Sequence, residues 1–103
     1  MKYLQIITTT DKKSVAEAMA NVLVCKRLAA CVQMWPIGST FSWKGKVAAG
    51  KEWLLLIKAQ SSDYKKIEKE ILRMHNYELP EIIAVPILKG SKGYLDWIDK
   101  TTT

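Results

Sequence analysis

Residues 53–57, Trp-Leu-Leu-Leu-Ile, send large apolar side chains to both sides of any sheet they join. Successive side chains of a strand point to opposite faces, so Trp53, Leu55 and Ile57 line one face while Leu54 and Leu56 line the other. Ile83, Val85 and Ile87 oppose Ile82, Ala84 and Pro86 in the same way, and Tyr3 and Ile7 oppose Leu4 and Ile6. A sheet with one wet face alternates apolar and polar residues instead. These strands are therefore expected to be covered on both faces, by a chain of only 103 residues.

The remaining elements say how much cover is available. Residues 2–8 are β-branched and aromatic and predict strand one. Thr10 or Asp11 is positioned to cap a helix over residues 14–28, with Val15, Met19, Val22 and Leu23 on one face. Cys31 opens strand two, which Pro36 and Gly38 are expected to bend or bulge before it continues to Lys44. Residues 45–50 predict a hairpin connection and residues 51–60 strand three. Ser62 or Asp63 opens a second helix with Tyr64, Ile67, Ile71 and Met74 in a stripe, and Pro80 forces its end before Leu79. Residues 82–88 predict strand four, residues 94–100 a short terminal helix, and the last three threonines a frayed end.

The order is β-α-β-β-α-β plus a tail helix within a single domain, residues 1–103. With a hairpin between strands two and three, it predicts an α+β, ferredoxin-like antiparallel sheet in the order 4-1-3-2. Pro86 then falls on an edge strand, where a missing N–H is tolerated. Right-handed crossovers put both long helices on one face, which leaves the short tail helix for the other. An open face of aliphatics and tryptophans forgoes several kcal/mol at about 25 cal/mol per Å² and invites association. Self-association is the expected cover.

Composition removes several classes. An apolar content of 49% with five Gly and three Pro excludes disorder and collagen-like repeats. Sixteen Lys and Arg against ten Asp and Glu leave a net charge of +6. These lysines are scattered from Lys2 to Lys100 among acids, which describes a solvated basic surface rather than a nucleic-acid footprint. Cys25 and Cys31 are neither a disulfide scaffold nor a Cys-x-x-Cys site, and read as reduced, mostly buried thiols. Apolar runs are far below membrane-spanning length and no signal peptide is evident, so a cytoplasmic protein without membrane contact is expected.

Five segments, in order, carry a resemblance. They are Arg27-Leu28-Ala29-Ala30-Cys31-Val32, Ser39-Thr40-Phe41-Ser42-Trp43-Lys44-Gly45-Lys46, Glu52-Trp53-Leu54-Leu55-Leu56-Ile57-Lys58, His75-Asn76-Tyr77-Glu78-Leu79-Pro80-Glu81-Ile82 and Tyr94-Leu95-Asp96-Trp97-Ile98. Together they resemble the CutA family of divalent-cation-tolerance proteins. The resemblance implies the same fold, a homotrimer with sheets inside and helices outside, and a non-enzymatic role in tolerance of divalent cations, copper above all. No obligatory cofactor is implied; copper or another divalent ion is expected to bind weakly. Departures stand at Gln33, Phe41, Gly50 and Asn76, and Asn76, where the family usually has Pro, is expected to loosen the loop after His75.

Candidate site residues follow from chemistry and from the resemblance. Cys31 is a soft donor suited to copper(I) or zinc, and equally a small buried hydrophobe. His75, the only histidine, is a candidate metal ligand. At a helix C-terminus it can also complement the dipole and bond loop carbonyls. The two lie at opposite ends of the expected sheet, so one ion would use both only between chains. Glu78 and Glu81 flank Pro80. Trp43 offers a planar ligand a stacking surface or packs an interface. The alternative function is a signalling trimer of the PII type, with a small anion in intersubunit clefts lined by Lys46, Lys58 and Tyr77; no Gly-rich phosphate loop supports it. RNA binding lacks its aromatic signature on the central strands, and an acylphosphatase-like enzyme lacks an arginine in the Thr8-Thr9-Thr10-Asp11 loop.

Overall fold

The structure is a computed structural model that describes residues 2–102. Its elements run β1 (Tyr3–Thr10), α1 (Lys13–Cys25), β2 (Ala29–Trp43), β3 (Lys46–Gln60), α2 (Tyr64–Met74), β4 (Ile82–Pro86) and α3 (Lys92–Thr101), with a 3₁₀ turn at Ser61–Asp63. The four strands form one antiparallel sheet in the order β2-β3-β1-β4. Pro86 ends β4, an edge strand, and Pro36 lies in β2, the other edge; neither edge needs the missing N–H.

The core fills one face. Ile6 of β1 and Leu55, Ile57 and Ala59 of β3 are buried against Ala16, Met19 and Leu23 of α1 and Ile67 and Ile71 of α2. Each large aliphatic so buried contributes about 1.5–3 kcal/mol. The inward face of α1 is Ala16-Met19-Leu23, an i, i+3, i+7 set; Val15 and Val22 flank it half-buried. The helix ends at Cys25, earlier than the periodicity suggested. Arg27 takes the left-handed conformation at φ 59° and the Leu28 N–H returns 3.0 Å to the Leu23 carbonyl, which closes the helix end. No side chain caps its start: the Thr10 hydroxyl accepts the Lys12 N–H and Asp11 turns elsewhere.

The β2–β3 hairpin is longer and straighter than expected. Lys44 and Gly45 alone form the turn, at φ 51° and 78°, the pair of positive values that a two-residue hairpin of type I′ requires. Residues 46–50 belong to β3, and the register runs unbroken from Cys31↔Lys58 to Trp43↔Lys46, with no bulge at Pro36 or Gly38. The irregularity falls at Ala30 instead, between Ala29↔Ala59 and Cys31↔Lys58. Because β1 stops at Thr10↔Trp53, the distal hairpin has no third strand and projects as an arm, stretching the molecule to 44 Å.

The second face is only partly covered. Helix α3 lies over the end near Tyr3 and Gln60, tied by Tyr3 Oη–Asp99 (2.7 Å), Gln60 Nε2–Thr102 Oγ1 (2.8 Å) and Arg27 Nη2–Lys100 carbonyl (3.1 Å). Thr101 is helical and Thr102 is buried there, rather than frayed, while Thr103 lies outside the described residues. Away from α3, Trp35, Phe41, Ile83 and Val85 remain 40–49% exposed on a face shared with Ile7, Leu54 and Leu56.

Candidate functional site

Three consecutive residues after α2 are bonded to the end of β1 and the middle of β3. The Tyr3 carbonyl faces β4, since it accepts the Ile87 N–H at 3.0 Å, and with period two the Thr9 carbonyl faces the same way. The β1–β4 ladder ends at Thr8↔Ile82, so no strand residue of β4 reaches that carbonyl. His75 Nε2 lies 2.7 Å from it. His75 Nδ1 in turn accepts the Tyr77 backbone N–H at 3.0 Å. Next along the chain, Asn76 Oδ1 accepts the Thr10 hydroxyl at 2.6 Å and its Nδ2 donates to Asp11 Oδ1 at 2.8 Å. The departure at Asn76 therefore ties the loop down rather than loosening it. Tyr77 completes the set, its hydroxyl donating to Glu52 Oε2 at 2.7 Å. Burial first, then the Glu52 carboxylate, holds the Tyr77 phenol well above the ordinary tyrosine range.

This segment walls a cleft of about 740 Å³, opposite the projecting arm, a volume within the ordinary range for small-ligand sites. Phe41, Trp43 and Tyr77 supply aromatic surface, and Asp11, Glu52, Glu78 and Glu81 supply carboxylates; no lysine or arginine lines it. On a chain of net charge +6, a wall of carboxylates makes this a local region that favours cations.

Of the residues singled out from sequence, Trp43, Tyr77 and Glu78 line the cleft and His75 stands directly behind it. Lys46 pairs with Trp43 beside the turn but does not line the cleft. Lys58 sits elsewhere, donating to Gln33 Oε1 at 2.7 Å. Cys31 is opposite Lys58, whereas the Thr9 carbonyl that holds His75 belongs to the residue opposite Leu54. Four positions of β3 separate them along the strands, about 13 Å, and β3 and β1 lie between them across the sheet. Cys31 is half-buried; Cys25 is exposed, not buried, because it ends α1 on the solvent side.

Metal fit can be tested on these positions. Among the described residues no three His, Cys, Asp or Glu side chains come close enough to hold an ion, and Cys31 and His75 do not share one within a chain. The donor set does not fit a resident metal. Asp11, Glu52 and Asn76 were not singled out as site residues; the signal available was that Thr9-Thr10-Asp11, the start of strand three and the end of helix two all fall at one end of the sheet.

The sequence pattern of the CutA1 divalent ion tolerance protein family matches residues 4–101. The divalent-cation tolerance protein CutA of Archaeoglobus fulgidus is 42% identical over 96 residues, covering 93% of this chain and 94% of that protein. A solved structure from the same organism, of a periplasmic divalent cation tolerance protein CutA, superposes with a TM-score of 0.94 at 40% identity over 96% of this chain and 97% of its own. CutA from Xylella fastidiosa superposes with a TM-score of 0.96 at 36% identity, covering all of both chains. No helix among the described residues is long and apolar enough to cross a membrane.

Proposed function

Because this chain belongs to the CutA1 divalent ion tolerance protein family, we propose that it works without catalysis, as a cytoplasmic homotrimer of ferredoxin-like subunits in tolerance of divalent cations such as copper. The observation that carries the assembly is the second face of the sheet, where Trp35, Ile83 and Val85 stand 40–49% exposed beside Leu54 and Leu56. A soluble monomer rarely leaves such a patch open, and three copies can bury it by turning their sheets inward.

Divalent ions are then weakly held cargo rather than a structural part of the fold. The carboxylates of the cleft attract them, and a soft donor such as Cys31 meets Glu78 only across a subunit boundary. Copper(I) favours the thiolate and harder ions the carboxylates. The small-anion alternative is not favoured: the cleft presents carboxylates, and Lys58 is bonded to Gln33 away from it.

Light scattering coupled to gel filtration tests the assembly. A trimer of this 11.7 kDa chain has a mass of about 35 kDa; a folded species at the single-chain mass would remove the intersubunit cleft. Calorimetric titration with copper and zinc on wild type and on Glu78→Gln tests the cargo reading, which expects weak binding that Glu78→Gln weakens further.

A further inference from the structure

Both ring nitrogens of His75 are committed inside the chain. The Tyr77 N–H donates to Nδ1 at 3.0 Å, so Nδ1 holds a lone pair and no proton. Nε2 lies 2.7 Å from the Thr9 carbonyl, which can only accept, so Nε2 carries the proton. The partners thus assign a neutral imidazole with Nε2–H and no free nitrogen.

From this geometry we propose that His75 is a positioning residue and not a metal ligand: its ring closes the rung beyond the end of the β1–β4 ladder and, through the Tyr77 amide, sets the cleft wall over Glu52. Imidazole binds metals through an unprotonated nitrogen. An ion at Nε2 has to displace the proton and strip the Thr9 carbonyl of its donor; an ion at Nδ1 has to displace the Tyr77 amide. Copper or zinc gains no nitrogen donor here while the segment keeps its shape, and the ligating atoms left facing the cleft are oxygens. Every bond in the device lies within one chain, so it stands independently of trimer assembly.

Since the chain has one histidine, long-range ¹H–¹⁵N correlation of the intact protein reads its ring without ambiguity. The expected spectrum at neutral pH shows an unprotonated Nδ1 and a protonated Nε2, unchanged when zinc chloride is added. Hydrogen exchange at the Tyr77 amide is expected to accelerate about tenfold or more in His75→Ala. In His75→Asn it stays slow, because an Asn oxygen can accept the N–H two residues on. Zinc titration of His75→Asn is expected to match wild type, whether both bind weakly or neither binds. Zinc-induced movement of the ring nitrogens, a protonated Nδ1, a loss of zinc affinity of about tenfold or more in His75→Asn, or unchanged Tyr77 exchange in His75→Ala would each overturn the proposal.

Discussion

The Tyr77 hydroxyl and the Glu52 carboxylate, 25 residues apart, meet at 2.7 Å and join the segment after α2 to β3. Tyr77→Phe keeps the ring and removes the bond, leaving a half-buried carboxylate without its donor. A hydrogen bond to a charged group contributes about 1.5–3 kcal/mol, less where water can replace the partner. Urea denaturation is expected to show a loss of about 1–2 kcal/mol with an unchanged slope.

Two sets of groups give stability opposite pH limits. The Tyr3 hydroxyl and then the Lys2 ammonium hold the Asp99 carboxyl below its ordinary range, and Lys26 with Arg73 does the same for Glu70. A carboxyl depressed in the folded state stabilises above its unfolded value and loses that contribution as pH falls through the folded one. Tyr77 and Tyr3 are raised, so their contribution is full below about pH 10 and is lost as pH rises through the raised values. Denaturation midpoints against pH are expected to fall at both ends. Asp99→Asn should flatten the acid limb and Tyr77→Phe the alkaline one.

Asn76 makes two side-chain bonds, to Thr10 and Asp11. Asn76→Ala loses both and is expected to cost about 1–2 kcal/mol. Asn76→Pro loses them too, but His75 already holds φ −69° and ψ 144°, the extended conformation demanded of a residue before proline. Restricting the unfolded chain returns about 0.4–1 kcal/mol, so the Pro variant is expected to lie nearer wild type than the Ala variant. Thermal unfolding of the three proteins ranks them; a Pro variant below Ala would contradict the backbone argument.

The fold was legible where side-chain period and turn chemistry agreed: the apolar stripe of Tyr64, Ile67, Ile71 and Met74, the doubly apolar run 53–57, and Pro80 as a limit the helix does not reach, since it ends at Met74. It was misread where glycine and proline served as punctuation. Gly50 and Gly38 lie in continuous ladder, because the turn is set by the positive φ of Lys44 and Gly45. Of the candidate residues, Tyr77 and Glu78 fall on the cleft and His75 behind it, but the network that joins them was not legible. The bonds to Thr9, Asp11 and Glu52 span 25 to 66 residues, and only strand register decides which backbone carbonyl is left for the imidazole.

Lys44 stands in the left-handed region at φ 51°, where an L-residue other than Asn, Asp or Gly is strained. Lys44→Asn relieves this at the loss of a surface contact, the ammonium 5.8 Å from the Trp43 ring centroid. A gain of about 0.5–1 kcal/mol is expected, read as a raised midpoint in chemical denaturation. An unchanged or lowered midpoint would mean that the Trp43 contact outweighs the backbone strain.

Ile83 and Val85 lie on the outermost strand of the partly open face, 49% and 40% exposed in the single chain. Replacing either on a wet surface by lysine should change stability by under about 0.5 kcal/mol. On a face buried between subunits the same change forces an unpaired charge into an apolar layer, which costs several kcal/mol per ion. Because a cyclic assembly presents each substitution once per subunit, Ile83→Lys would place three such charges in the proposed trimer. Sedimentation velocity is expected to show Ile83→Lys shifted to lighter species at micromolar concentration, while Lys66→Ala on the helix side sediments as wild type. A variant with lysine at 83 that keeps the wild-type mass would place the subunit contact elsewhere.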